Sequence, residues 1–289
     1  MKVRIITGIV SALFAISLLV LTGLGFGEFV SIPLAIFGAI AVYEVMRVCK
    51  CQNKVLTGSG MLFCAAMIFY IAFDGAAKIP VSIGVIFTFY VIAMLIIMLK
   101  WYEKTKFEHV AMLLFASIAI PGSLSTILKL SALVEETEFF SRSHAIFFLL
   151  TAMYCAWMTD TWAYFVGSKF GKHKMAPKIS PKKSIEGAIG GVLGNALVSG
   201  ITYFIFIQWV FPEGTYRPNF FLVMAAVIVI SIFGMCGDLS ASVIKRNFNE
   251  KDFGNIFPGH GGALDRIDSF LFVMPISYAF LEIALKIAA

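Results

Sequence analysis

Asp265 and Asp268 stand three residues apart, directly after a run that holds Pro258, Gly259, His260, Gly261 and Gly262. On a helix that spacing turns both carboxylates to one side. Upstream, Asp238, Ser242 and Lys245 fall at i, i+4 and i+7, one face of a helix if the helix continues past Cys236. Arg246, Lys251 and Asp252 follow. A face with an acid, a hydroxyl and a cation suits a polar cavity at a membrane mouth better than lipid. The glycines and proline predict a tight loop that brings backbone N–H groups close to phosphate. Dipole stabilisation, about 0.3–1 kcal/mol, explains one acid at a helix start. It does not explain two stacked acids with Asp238, a glycine loop and a Lys-Arg pair. Carboxylates with phosphate-bearing ligands are the ordinary Mg2+ arrangement. Basic side chains then hold the remaining phosphate oxygens. The pattern describes a site for a metal–polyphosphate and an apolar partner.

A second polar cluster precedes it. Asp160 lies inside an apolar run, where an acid costs about 2.5–3.5 kcal/mol at the bilayer centre. It is either paired with a lysine or faces a wet site, and is taken here as a site carboxylate. In Ser180-Pro181-Lys182-Lys183-Ser184 a proline-fixed turn presents two lysines, and Ser184 is placed to cap the next helix. Lysines beside free N–H groups at a helix start form an anion site. Gly187, Gly190, Gly191 and Gly194 give two overlapping GxxxG spacings, which predict close helix packing. Glu44 and Arg47, at i and i+3, are expected to pair with each other, and Cys49-Lys50-Cys51 is too short to make a metal site.

The elements that must carry these groups are apolar. Of 289 residues, 60% are hydrophobic and only 14% charged, against about 45–50% and about 25% in ordinary soluble domains. A disordered chain, a secreted disulfide scaffold and a soluble enzyme with one anchor are excluded. The fold expected is an all-α polytopic membrane protein with about nine transmembrane helices. They run roughly Ile5–Leu24, Phe29–Val48, Met61–Phe73, Val81–Leu99, Val110–Leu128, Ala145–Gly167, Ile185–Phe211, Phe220–Cys236 and Phe270–Ala288. With the N-terminus cytoplasmic and the C-terminus outside, most of the 23 Lys and Arg residues lie on the cytoplasmic side. Both polar clusters then face the cytoplasm. Residues 1–145 read as about five plain spans, and 146–289 as a catalytic transmembrane region with two cytoplasm-facing loops. Five cysteines without an extracellular spacing pattern read as reduced thiols. The net charge of +6 is explained by topology, so no nucleic-acid partner is expected.

The segment from Ser242 through Ile244-Lys245-Arg246, Lys251-Asp252, Gly254, Phe257-Pro258 and His260-Gly261-Gly262 to Asp265-Arg266-Ile267-Asp268 resembles the signature of the phosphatidate cytidylyltransferases, the CDP-diacylglycerol synthases. The stretch from Asp160 to Gly187 resembles that family's upstream pattern. One departure is Ala263, where the family usually has a larger apolar residue. The resemblance implies a bacterial inner-membrane nucleotidyltransferase of phospholipid biosynthesis, working from the cytoplasmic face. It would convert CTP and phosphatidic acid to CDP-diacylglycerol and pyrophosphate. It implies Mg2+, often with a second, monovalent cation, and a homodimer. Asp238, Asp265 and Asp268 would hold metal. Lys245, Arg246, Lys251 and Arg266 would bind phosphates, with Asp252 and His260 in the same site. Asp160, Lys182, Lys183, Ser184, Ser242, Gly261 and Gly262 complete the expected substrate contacts.

Two other readings fit parts of the pattern. A CTP-dependent kinase of polyprenol, phytol or diacylglycerol would give a lipid phosphate and CDP. An ion-coupled transporter would use Asp160 and Asp238 along an ion path, but predicts acids on both sides of the membrane, whereas these cluster at one face.

Overall fold

Apolar runs in lipid must satisfy every backbone N–H and C=O internally, so they coil into helices. The computed structural model describes residues 16–24, 26–77, 81–136, 140–211, 213–257 and 261–288. A helical stretch over 16–24 is followed by α1 (Gly27–Val48), α2 (Lys54–Ala77), α3 (Ile83–Lys100), α4 (Phe107–Glu136) and α5 (Arg142–Phe170). A short ribbon, β1 (Lys174–Ala176) and β2 (Ser180–Ser184), leads into α6 (Ile185–Ile205), which runs on through a π-helical turn, Phe206–Val210. Then come α7 (Phe220–Asn247), the single turn α8 (Leu264–Ile267) and α9 (Phe270–Ala288). The protein is a multi-spanning, all-α membrane protein whose strands are confined, among the described residues, to that ribbon.

Seven segments among the described residues are long and apolar enough to cross a membrane: α1 to α4, α6 with its π turn, α7, and Leu264–Lys286. Most of the expected first span lies outside the described residues. The expected sixth, α5, forms as one helix of 29 residues but is interrupted by Thr159, Asp160 and Thr161. The expected third span, Met61–Phe73, extends to the 24 residues of α2. Asn53 caps it, accepting from the N–H groups of Val55 and Leu56 at 3.0 and 3.1 Å. The small residues that lowered apolarity there do not interrupt the helix. The expected eighth span also lengthens, because α7 continues to Asn247 and carries Asp238, Ser242 and Lys245 as helical residues.

The chain folds as two compact units. One is built from Gly27–Lys129 and Asn247–Ile267, the other chiefly from Leu130–Arg246 and residues 268–288. In the first, α1 lies on α2, the rings of Phe63 and Tyr90 stack at 3.7 Å, and the Tyr90 hydroxyl bonds Ser117 at 2.8 Å. In the second, α5 and α6 pack along each other and α9 packs on α5. The Asn195 amide on α6 donates to Ser231 on α7 at 2.9 Å.

The expected glycine packing is found between α5 and α6. Gly187, Gly190, Gly191 and Gly194 all face α5, against Ala163, Val166, Thr159 and Trp162. A Cβ at 191 would lie 2.6 Å from the Thr159 carbonyl oxygen, whereas one at Gly58 meets nothing within 4 Å. Gly191→Ala is therefore expected to lower the detergent melting temperature by the cost of an overpacked contact, about 1–3 kcal/mol. Gly58→Ala should leave it unchanged or slightly higher. Melting followed by tryptophan fluorescence distinguishes the two, and equal melting points would refute the packing.

Candidate active site

The β ribbon brings one lysine to two acids. Ser184 ends the ribbon and opens α6, where its hydroxyl accepts the Gly187 N–H at 3.1 Å, as its position before the helix leads one to expect. Glu186, in the first turn, gathers the other end of the loop. Its carboxylate accepts the N–H groups of Lys172 and His173 at 3.1 and 3.2 Å and lies 2.5 Å from Nδ1 of His173. Pinned from both sides, the ribbon directs Lys183 between α5 and α7. Its ammonium donates to the Asp238 carboxylate and stands 4.0 Å from that of Asp160.

Two turns further along α7, Nζ of Lys245 lies 3.9 Å from Oδ2 of Asp268 at the foot of α9. These two side chains are only 10% and 11% exposed. The Ser269 N–H donates to Oδ1 of Asp268 at 2.8 Å. Gly237 makes the approach possible, because a Cβ there would come 3.0 Å from the Asp268 carbonyl oxygen. Asp160, Asp238 and Asp268 are close enough for their charges to act on one another. Among the described ion pairs, three carboxylates share two ammonium groups, and Lys245 with Asp268 is the buried pair of the set.

All these acids offer hard oxygen donors of the kind Mg2+ takes, and Lys183 already places a cation between two of them. The donor chemistry therefore fits the metal that the sequence leads one to expect. Among the described residues, no three histidine, cysteine, aspartate or glutamate side chains are drawn together closely enough to enclose an ion alone. Mg2+ ordinarily keeps water and takes substrate phosphates alongside one or two carboxylates, so such a partial set is compatible with it.

The glycine-containing loop belongs to the other unit. Oδ2 of Asp265 accepts the N–H groups of Phe253 and Gly262 at 2.8 and 2.9 Å, tying the two ends of the loop together. Glu44, on α1, accepts the N–H groups of Ala263 and Leu264 at 2.9 and 2.8 Å. Arg47, one turn on, donates to the Phe253 carbonyl at 3.0 Å. Glu44 and Arg47 thus spend their hydrogen bonds on the loop, where the sequence suggested a local pair. The N–H groups of Gly262, Ala263 and Leu264 are taken by carboxylates. Gly261 adopts a positive φ of 84°, a conformation favouring glycine.

Of the residues singled out from sequence, the second unit gathers Asp160, Lys183, Asp238, Lys245 and Asp268, with Ser184 setting the ribbon. Ser242 is half-buried on α7. Lys182, Arg246, Lys251 and Asp252 are exposed, and Arg266 is half-buried beside Asp265 in the first unit. His260 lies outside the described residues. Glu44 is the group that sequence reasoning undervalued. The test applied to Asp160, an acid inside an apolar run, would have found it. Cys49 is buried, which pushes its thiol up to about 12, so it stays protonated and unreactive.

Comparison with known proteins identifies the family. A family model described as the cytidylyltransferase family matches residues 2–284. The phosphatidate cytidylyltransferase of Bacillus subtilis (strain 168) is 31% identical over 290 residues, spanning 98% of each chain. The enzymes of that name from Staphylococcus haemolyticus (strain JCSC1435) and Staphylococcus aureus (strain COL) are 38% and 36% identical over 136 and 141 residues, 47% of this chain and 49% of theirs. With a match across nearly its whole length, the chain belongs to the cytidylyltransferase family.

Proposed function

We propose that this protein transfers the cytidylyl group of CTP to phosphatidic acid, forming CDP-diacylglycerol and pyrophosphate for phospholipid biosynthesis. The observation that carries this is the end-to-end match to a phosphatidate cytidylyltransferase at 31% identity. The acid–lysine cluster at Asp160, Lys183, Asp238, Lys245 and Asp268 supplies the charge pattern such a reaction needs.

A phosphate oxygen of the lipid attacks the α-phosphorus of CTP. The new P–O bond forms as the bond to the bridging oxygen of the β-phosphate breaks, and pyrophosphate leaves with that electron pair. The lipid phosphate is already ionised at neutral pH, so no strong base is required. The obstacle is that two anions must meet, and positioning with charge neutralisation meets it. Lys183 and Lys245 exchange their carboxylate partners for phosphate oxygens, while Lys182, Arg246, Lys251 and Arg266 hold the outer phosphates. Ser184 and Ser242 give hydroxyl contacts, Gly261 and Gly262 let the loop approach, and Asp252 and His260 serve the same reaction. Asp238 and Asp268, joined on the family resemblance by Asp265, would hold Mg2+, which when bound supplies a Lewis acid for the reacting phosphates. A second, monovalent cation and a homodimer are part of this reading.

We place the protein in a bacterial inner membrane, its family relatives being bacterial. Nine spans, a cytoplasmic N-terminus and an external C-terminus put Lys183 and the loop lysines where CTP arrives. Residues 146–289 form the catalytic region, and the helices of 1–145 support its last loop. The acyl chains stay in the bilayer while the headgroup reaches the cluster.

Purified protein incubated with phosphatidic acid, CTP and Mg2+ should yield CDP-diacylglycerol and pyrophosphate by mass spectrometry. Lipid phosphate with CDP would replace this reading by the kinase one. Asp268→Asn should lower product formation from radiolabelled CTP at least a hundredfold, with normal expression and insertion; near-normal turnover would remove its metal role. Lys245→Ala should raise the KM for CTP roughly tenfold, the loss of one charge-assisted contact, while the Mg2+ requirement persists. Loss of metal binding with unchanged CTP affinity would contradict the role given to Lys245.

A further inference from the structure

Glu44 is a buried carboxylate near the end of a largely apolar helix, 1% exposed, and the chemistry above makes no use of it. It accepts two consecutive backbone donors, Ala263 and Leu264. These lie at the start of α8, where N–H groups have no partner within the helix. Such donors are usually capped by a neighbouring side chain; here the cap comes from 219 residues away.

Two loop glycines match this carboxylate. A Cβ at Gly254 or at Gly262 would run into the carboxylate of Glu44. Neither glycine has a positive φ; among described glycines that belongs to Gly214 and Gly261. Their lack of a side chain therefore serves space and not backbone conformation. Arg47 holds the loop at Phe253, and Asp265 closes it from Phe253 to Gly262. One face of α1 grips both ends of the segment that carries Asp265 and Arg266.

We propose that Glu44 is a positioning residue for the nucleotidyl transfer, its carboxylate fixing the 262–264 turn and through it the setting of Asp265 and Arg266. This rests on the function proposed above, in which Asp265 and Arg266 act on metal and phosphate. It accounts for an ionisable group in an apolar helix, for two spatially required glycines and for a cap reaching across the sequence.

The test is steady-state kinetics on full-length protein in mixed micelles of phosphatidic acid. Glu44→Gln keeps the shape but replaces one acceptor oxygen with a donor amide facing an N–H. The KM for CTP and the Mg2+ concentration for half-maximal rate should each rise at least fivefold and kcat fall at least tenfold. The KM for phosphatidic acid should stay within twofold. A merely structural role would lower the active fraction and leave every KM unchanged, and that result would overturn the proposal. Gly254→Ala should give the same pattern, because its methyl displaces the same carboxylate. In a Glu44→Ala background it should cost less than twofold more, and additive losses would equally refute the coupling. Should Glu44→Gln fail to accumulate in membranes, Gly254→Ala and Arg47→Lys carry the same kinetic test. Wild-type protein that makes no CDP-diacylglycerol refutes the function; active wild-type with unaltered Glu44→Gln kinetics refutes only the positioning role.

Discussion

The attraction between two ammonium groups and three carboxylates, running from the exposed Asp160 to the buried Lys245–Asp268 pair, is what the second unit depends on. Lys183 stands between Asp160 and Asp238, and Lys245 faces Asp268. Each acid alone would be costly in an apolar helix. Together they would repel, and the lysines offset that repulsion only in part. The arrangement places acids and lysines in alternation along α5, the ribbon, α7 and the foot of α9. The helices, the ribbon and the glycine contacts serve to bring these five side chains to one place.

Closeness is achieved by deleting side chains. α5 and α6 meet along four glycines, and α7 meets the foot of α9 at Gly237. These contacts bring backbones nearer than a methyl group permits, and they set the geometry of Asp160 and Asp238 indirectly. The ribbon adds a short lever, fixed at one end by the Ser184 cap and at the other by Glu186. Rigid rods and one pinned hairpin hold the acids at defined separations without any large soluble domain.

Much of this was legible in the residues. Long apolar runs predicted the helices, because lipid admits few alternatives. The i, i+4, i+7 face of Asp238, Ser242 and Lys245 is helical as read, and Ser184 does cap α6. What hydropathy could not give was helix length, since glycines and serines in α2 and polar groups in α7 look like breaks yet continue the coil. Partners were harder still. Nothing local ties Lys245 to Asp268, or Glu44 to Leu264, because such pairs follow from packing between elements distant in sequence. The periodicity around Glu44 and Arg47 suggested that the two pair; their charges do act on each other, but their hydrogen bonds go to the distant loop. Asp265 was singled out as a metal-holding acid, and the bonds it makes in the structure bind its own loop together.

The tie between α1 and residues 263–264 also has a bearing on biosynthesis. Chains elongate at about 5–20 residues per second, so a separation of 219 residues corresponds to roughly 10–40 seconds of translation. For that interval the ribosome has delivered the carboxylate but not its partners. A membrane-embedded acid must meanwhile find water at the headgroup boundary or shelter in the insertion machinery. The loop can close onto α1 only once residues 262–265 have been made, so this part of the first unit is completed late in synthesis.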